Sequence, residues 1–358
     1  MSTLTTVELW SRLSEEGLVA GDLPAAVESQ SPWPVRVMLG IAGWVGALFL
    51  LGFAGAAFAM IFSSAQAALS AGAICCVAAY AIFRAMPRND FIAQFGFAIS
   101  LAGQVLLLAG LLNLAGSHPS TAIFLVMAGV EAVLALLISN YIHRVFTTVA
   151  ANFCLFVAVA IMGAPELATL VAAVGAALVW LNQVRMAERP AFWVPLGYGF
   201  TIALLPIDGF LMINPEFWRI LLPLGNPALY FVLWSGPVVA GLVFLYVVWQ
   251  LRERAGVEAD SPAGIVTLAA AIVLALCALT APGISAAILV LALGFANGNR
   301  VLIGLGLLAF GGYLSHFYYQ LNSTLLVKSM VLAATGTALL ALRWTLARFL
   351  PEEDGTHA

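Results

Sequence analysis

The chain has 358 residues, of which 63% are hydrophobic and only 9% charged, with a formal net charge of -3 and a mean hydropathy of +1.04. That composition excludes an ordinary water-soluble domain, and the lack of a basic patch gives no reason to expect a nucleic-acid partner. The small net charge carries little meaning, because acidic residues gather in the tails: Glu8, Glu15, Glu16, Asp22 and Glu28 at one end, Glu352, Glu353 and Asp354 at the other.

Residues 1–34 form the polar N-terminal piece. Thr5 with Glu8 begins like a capping box, Leu9, Trp10 and Leu13 share a helical face, and Gly17 supplies a stop. Asp22 with Pro24 offers a second helix start. Such a pair is too small to hold a core, so it is expected to pack on the cytoplasmic membrane face or on a partner, as a tether or a docking element. The start is acidic and lacks the apolar stretch of a signal peptide, so the first span is expected to remain as a membrane anchor.

Beyond Pro34 nearly the whole chain is apolar. Because lipid offers no partner to backbone N–H and C=O groups, runs of about 20 such residues read as helices crossing a ~30 Å hydrocarbon core. Candidate spans lie near 35–61, 65–83, 91–112, 120–140, 145–161, 165–181, 192–212, 228–251, 263–280, 283–296, 301–317 and 324–349, about twelve by hydropathy. The segment 283–296 is short for a full crossing. The fold class is therefore all-α: a polytopic transmembrane bundle over 35–349 with a short tail over 350–358.

The cations give that series an orientation. Arg12 and Arg36 precede the first span; Arg84 and Arg88, Arg144, Arg185 and Arg189, Arg252 and Arg254, Arg300, and Arg343 with Arg348 follow every second one. Twelve of the 14 Lys and Arg thus fall on one side, and only Arg219 and Lys328 fall outside the pattern. Arginine and lysine accumulate in cytoplasmic loops, so both termini are expected in the cytoplasm of a bacterial inner-membrane protein. A miscounted span would reverse the alternation from that point, so its persistence supports the count.

Loops between spans are short, which makes sequential helices antiparallel neighbours in one bundle. Glycines lie within spans: Gly40, Gly43 and Gly46 in the first, Gly96 and Gly103 with Ser100 in the third, Gly304 and Gly312 with Ala309 in the eleventh, as faces for close helix approach. The external connection from Ile213 to Pro227 carries Phe217, Trp218, Leu221 and Leu222 among Glu216 and Arg219, as an interfacial segment or a lid. Cys75, Cys76, Cys154 and Cys277 lie in apolar runs without ligand spacing and read as small buried hydrophobes, not as disulfides or a metal site.

An ionisable group inside the membrane costs about 2.5–3.5 kcal/mol even on the mild insertion scale, so each needs a reason. Glu131 falls near the middle of the fourth span, without a cation at its depth. Gln104 or Asn152 is expected to hydrogen-bond it, with Gln94 in the same polar network; otherwise it is a proton or cation site. Asp208 and Lys328 fall at matching depth near the outer ends of the seventh and twelfth spans, where opposite charges are expected to pair. Pro206 and Gly209 flank Asp208 as possible helix breakers, and His316, Tyr318, Tyr319 and Gln320 end the eleventh span on the same side. Asp208, Lys328, His316 and Tyr319 are thus candidates to line an outward-facing polar vestibule, the tyrosines serving alternatively in an interfacial belt.

No phosphate-binding loop, zinc-binding helix motif or soluble nucleotide domain is present, so no cofactor or metal is implied and ATP-driven pumping by this chain alone is not expected. Ser285 after Gly283 and His316 share the outer side, but Gly-x-Ser is frequent by chance here, so an intramembrane serine protease is not the expected activity.

Three stretches carry a resemblance: residues 31–37 (Ser31-Pro32-Trp33-Pro34-Val35-Arg36-Val37), residues 91–104 with Gln94, Gly96 and Gln104, and residues 318–329 from Tyr318-Tyr319-Gln320 through Lys328-Ser329. They resemble the bacterial inner-membrane family called domain of unknown function 4401, nearly end to end. The resemblance implies a multi-pass topology and assigns no activity, catalytic or otherwise. It also implies a neighbouring membrane or periplasmic protein as a partner besides the lipid bilayer, because family members are often encoded beside a related membrane family and a protein named for a G-D-Y-x-x-L-x-Y motif. Two functions are consistent with these residues: binding or transport of a small or amphipathic molecule, and a non-transporting subunit that holds an envelope complex.

Overall fold

The structure, a computed structural model, describes residues 6–17, 64–85, 90–116, 120–213, 228–279 and 283–320, with isolated positions elsewhere. The expected spans 35–61 and 324–349, the second N-terminal helix start, the external connection, the C-terminal tail and Lys328 lie outside the described residues, apart from such isolated positions.

The described part is all-helical. After α1 (Thr6–Glu15) come α2 (Ala65–Ala85), α3 (Asp90–Ala115), α4 (Thr121–Leu137), α5 (Tyr141–Ile161), α6 (Glu166–Leu181) and α7 (Pro190–Ile213). They are followed by α8 (Ala228–Arg254), α9 (Pro262–Ala278), α10 (Ile284–Ala296) and α11 (Arg300–Gln320). Each apolar segment expected between residues 65 and 317 is a helix. Six of them, α2, α3, α5, α7, α8 and α11, are long and apolar enough to cross a membrane, while α4, α6, α9 and α10 are apolar helices of 17, 16, 17 and 13 residues. Starts follow local chemistry. Asn140 accepts from His143 N (3.0 Å) to begin α5, and Ser261 accepts from Gly264 N (3.0 Å) with Pro262 in the first turn of α9. α7 continues through Pro195 and Pro206, so the break expected beside Asp208 does not occur. In an apolar bundle the carbonyls that a proline frees find partners on neighbouring helices.

Short connections make antiparallel hairpins of α2/α3, α4/α5 and α10/α11. α7 packs between α5 and α6, and α8 packs against α6 and α10. One core joins α6 to α11 through Trp180, Leu204, Phe244, Val247, Leu289 and Leu293, and a second joins α2, α3 and α4 through Cys76, Phe83, Phe97 and Leu134. α6 turns Ala168, Ala172, Ala173 and Ala176 inward without exposure, and such small side chains let helices approach closely where lipid supplies no hydrophobic drive. The polarity is inverted relative to a soluble protein. Glu131, Asp208, His143 and Asn152 are buried, whereas Ile74, Val77, Leu136 and Leu276 are exposed, as a lipid-facing surface requires.

α2 and α3 meet backbone to backbone. A Cβ on Gly103 would lie 2.8 Å from both Gly72 O and Cys76 Sγ, and one on Gly72 would lie 2.8 Å from Gly103 O. On α11 the expected small-residue face is different in detail. Gly306 packs on Leu291, while among the described residues nothing lies within 4 Å of a Cβ at Gly304 or Gly312. The cysteines are free: Cys76 is buried, Cys75 and Cys154 are partly buried, and Cys277 is exposed, so only the first fits the expected burial fully.

Gly103→Val is expected to force α2 from α3 and lower stability by about 1–3 kcal/mol, the usual cost of overpacking. Gly129→Ala, where nothing lies within 4 Å, is expected to be neutral. Thermal melting of the detergent-purified chain checks both.

Candidate functional site

Glu131 projects from α4 with 2% exposure. Its neighbours Val130 and Leu134 pack in the cluster of Cys76, Phe83 and Phe97, which seats the carboxyl where α4 meets α2 and α3. Cys76 of α2 and Cys154 of α5 are within electrostatic range of it. Its Oε2 is buried and makes no hydrogen bond.

The expected partners point elsewhere. Gln104 Nε2 donates to Ser100 Oγ (3.2 Å), and Ser100 Oγ lies 2.8 Å from His143 Nε2, so a buried chain of polar groups crosses from α3 to α5. Phe83 and Phe97 hold the imidazole edge-on, with centroids 5.4 and 6.0 Å away. Asn152 Nδ2 donates to Thr148 O of its own helix (2.8 Å). Asn152 Oδ1 and His143 Nδ1 are buried and unpartnered, like Glu131 Oε2. Gln94, half-buried nearer the start of α3, makes none of these bonds. Along α5, Asn152 and His143 stand about 13 Å apart at 1.5 Å per residue, so the unfilled atoms mark a seam rather than a point.

Asp208 has no exposed surface and accepts from the backbone N–H groups of Gly283 (3.2 Å) and Ala286 (3.3 Å). Those are orphan donors at the start of α10, and a carboxyl there also meets the positive end of the helix dipole. Gly283 takes a left-handed φ of 89°, which a side chain would strain. The Tyr313 ring lies across the site: a Cβ on Gly209 would collide with it and one on Gly283 would come within 2.7 Å, and the Tyr313 hydroxyl donates to Leu205 O (2.6 Å). Asp208 therefore holds two helices together beneath a tyrosine lid. The pairing expected with Lys328 falls outside the described residues.

His316 is half-buried with Nε2 unpartnered, and Tyr319 is 80% exposed with its ring edge-on to Tyr318 at 5.7 Å. Among the described residues no bond links either to the sealed Asp208. Ser285 Oγ is also unpartnered, so no hydrogen bond joins it to His316 as a nucleophile–base pair would need.

The pattern of residues did not single out Arg144, His143, Ser100 or Tyr313 as site groups. Arg144, 3% exposed, donates from Nε to Ala135 O (2.7 Å) and from a guanidinium nitrogen to Ala191 O (2.8 Å), with Phe192 under its plane at 4.8 Å. It ties the end of α4 and the start of α7 to α5. The polar run His143-Arg144 just inside a helix start after Asn140 is the signal that marks this pair.

The model of the family described as domain of unknown function (DUF4401) matches residues 32–349. The chain belongs to that family. Comparison with curated proteins and with solved structures gave no match.

Asp208→Ala is expected to leave the N–H groups of α10 unpaired and cost about 1–3 kcal/mol, while Asp208→Asn, which keeps an acceptor oxygen, retains most of the stability. Unfolding midpoints of the two purified variants test this.

Proposed function

We propose that this family member is a multi-pass protein of the bacterial inner membrane, threaded about twelve times with both termini cytoplasmic, that binds a small or amphipathic molecule at the seam around Glu131. The observation that carries the site is the buried Glu131 Oε2 without a partner, in a bundle where Asn152 Oδ1 and His143 Nδ1 on α5 are also unfilled. Buried polar atoms are nearly always hydrogen-bonded, and an intramembrane carboxyl in particular calls for a ligand or a proton. The two acceptor oxygens, on Glu131 and Asn152, suit a solute that carries N–H or O–H donors. The surrounding chain Gln104–Ser100–His143 gives the seam a rigid polar wall.

The orientation is supported by contacts that gather the arginine-bearing ends of helices. Arg144 reaches Ala191 beside the loop of Arg185 and Arg189, Arg254 reaches Leu181, and Tyr198 bonds Asn299 next to Arg300. Asp208 meets Gly283 at the ends that lack arginine. A reporter fused in the loop at Arg185 is expected to read as cytoplasmic, and a periplasmic signal overturns this orientation.

A second reading, a scaffold for an envelope complex, is favoured by the sealing of Asp208 under Tyr313, which leaves that carboxyl to hold helices and not to meet solute. Purification of the tagged chain from native membrane separates the two. Solute binding predicts a small molecule released on denaturation, with Glu131→Gln weakening retention about 10- to 100-fold, the worth of one charge-assisted hydrogen bond. A stoichiometric protein partner with no released solute decides for the scaffold.

A further inference from the structure

A cavity of about 800 Å³, none of whose lining residues belongs to the Glu131 seam, lies between α6 and α8. Its walls are apolar, among them Leu170, Val174, Leu178, Val239 and Leu242, and its lining ends in Asn182, Arg185, Gln250 and Arg254. Among the described residues no acidic side chain lines it. The walls are open to the surroundings: Leu178 is 52% exposed and Leu242 60%.

We propose that this groove holds one anionic phospholipid, its acyl chain along α6 and α8 and its phosphate between Arg185 and Arg254. Three observations converge on that occupant. The first is length: from Leu170 to Leu181, and likewise from Val239 to Gln250, the groove runs about 16 Å at 1.5 Å per residue, roughly half of a ~30 Å hydrocarbon core and so the depth of one leaflet. The second is charge, which among the lining residues sits only at one end, where a headgroup belongs; both arginines are exposed there, Arg185 without a hydrogen bond among the described residues and Arg254 with one guanidinium nitrogen on Leu181 O and the rest of its fork open to a phosphate. The third concerns the backbone. Both helices end at this point, and carbonyls at a helix C-terminus repel an anion. Here the Asn182 side chain donates to Leu178 O (2.9 Å) and Arg254 donates to Leu181 O, so these carbonyls are covered and the end is left net cationic. A zwitterionic lipid would fill the walls equally well but would answer this end less well.

The inference rests on the membrane placement of the chain and not on the Glu131 seam, so one can be refuted while the other stands. The test uses the full-length protein in detergent with phosphatidylglycerol and phosphatidylcholine of identical acyl chains, with bound lipid read by native mass spectrometry. The expected preference for phosphatidylglycerol is about 10- to 30-fold, as two membrane-surface cations provide. The pair Arg185→Gln with Arg254→Gln is expected to abolish the preference. Because Arg254 also holds Leu181 O, Arg185→Gln alone serves as the milder variant and is expected to keep the wild-type melting temperature and lose a few-fold of the preference. Leu178→Trp with Leu242→Trp fills the walls and is expected to lower retention of both lipids. Equal retention of the two lipids by the wild type, indifference to the arginine changes in a folded variant, or full displacement by inorganic phosphate would each overturn the proposal. So would photo-crosslinking from position 178 that captures a protein instead of lipid.

Discussion

A thirteen-residue helix that starts inside an apolar bundle leaves backbone N–H groups with no water to meet, and Asp208 is the side chain that receives them. At 1.5 Å per residue α10 is only about 20 Å long, well short of the hydrocarbon thickness. It is nevertheless tolerated because its ends are finished by protein. Asp208 and the left-handed Gly283 complete the start, and Asn297 returns its amide to Leu293 O at the finish. With these ends satisfied, Leu289, Val290 and Leu293 fill the largest core, against which α7, α8 and α11 are arranged. Remove the cap and that arrangement loses its central element.

The same requirement explains Arg144. Its cationic side chain is buried because it answers two carbonyls that lack a helical partner: Ala135 O in the last turn of α4, and Ala191 O at the start of α7, whose i+4 donor is missing because Pro195 has no N–H. A cation at a helix C-terminus also meets the favourable pole of the dipole. Asp208 and Arg144 are thus complementary: an acid on exposed N–H groups toward one end of the bundle, a base on exposed carbonyls toward the other. Both membrane ionisable groups are structural first, and their partners are backbone, not each other.

Glu131 differs because no backbone terminus claims it. Its helix runs on past it, and the amides within the bundle are directed to Ser100 and Thr148. Asp208 also keeps one buried oxygen, Oδ1, without a hydrogen bond, but its Oδ2 is held by two backbone N–H groups; Glu131 has no such backbone anchor, which is why it is the carboxyl proposed as functional. The groove of α6 and α8 extends the picture to the outside of the bundle, where Arg185 and Arg254 form the cationic end of an apolar cleft.

Helix content and helix positions among the described residues were legible in the sequence, because the need for long apolar stretches acts through neighbouring residues alone. Intramembrane carboxyls were legible too, as departures from that composition. Which group each would meet was not. Asp208 finds backbone donors 75 residues away, and Gln104 joins His143 through Ser100 across two helices. Contacts of that kind depend on which faces of α3, α5, α7 and α10 are turned together. Small residues such as Gly72, Gly103 and Gly209 permit that turning without specifying it. Spacing along one chain carries no record of the rotation of one helix against another, so only the packed bundle could assign the partners.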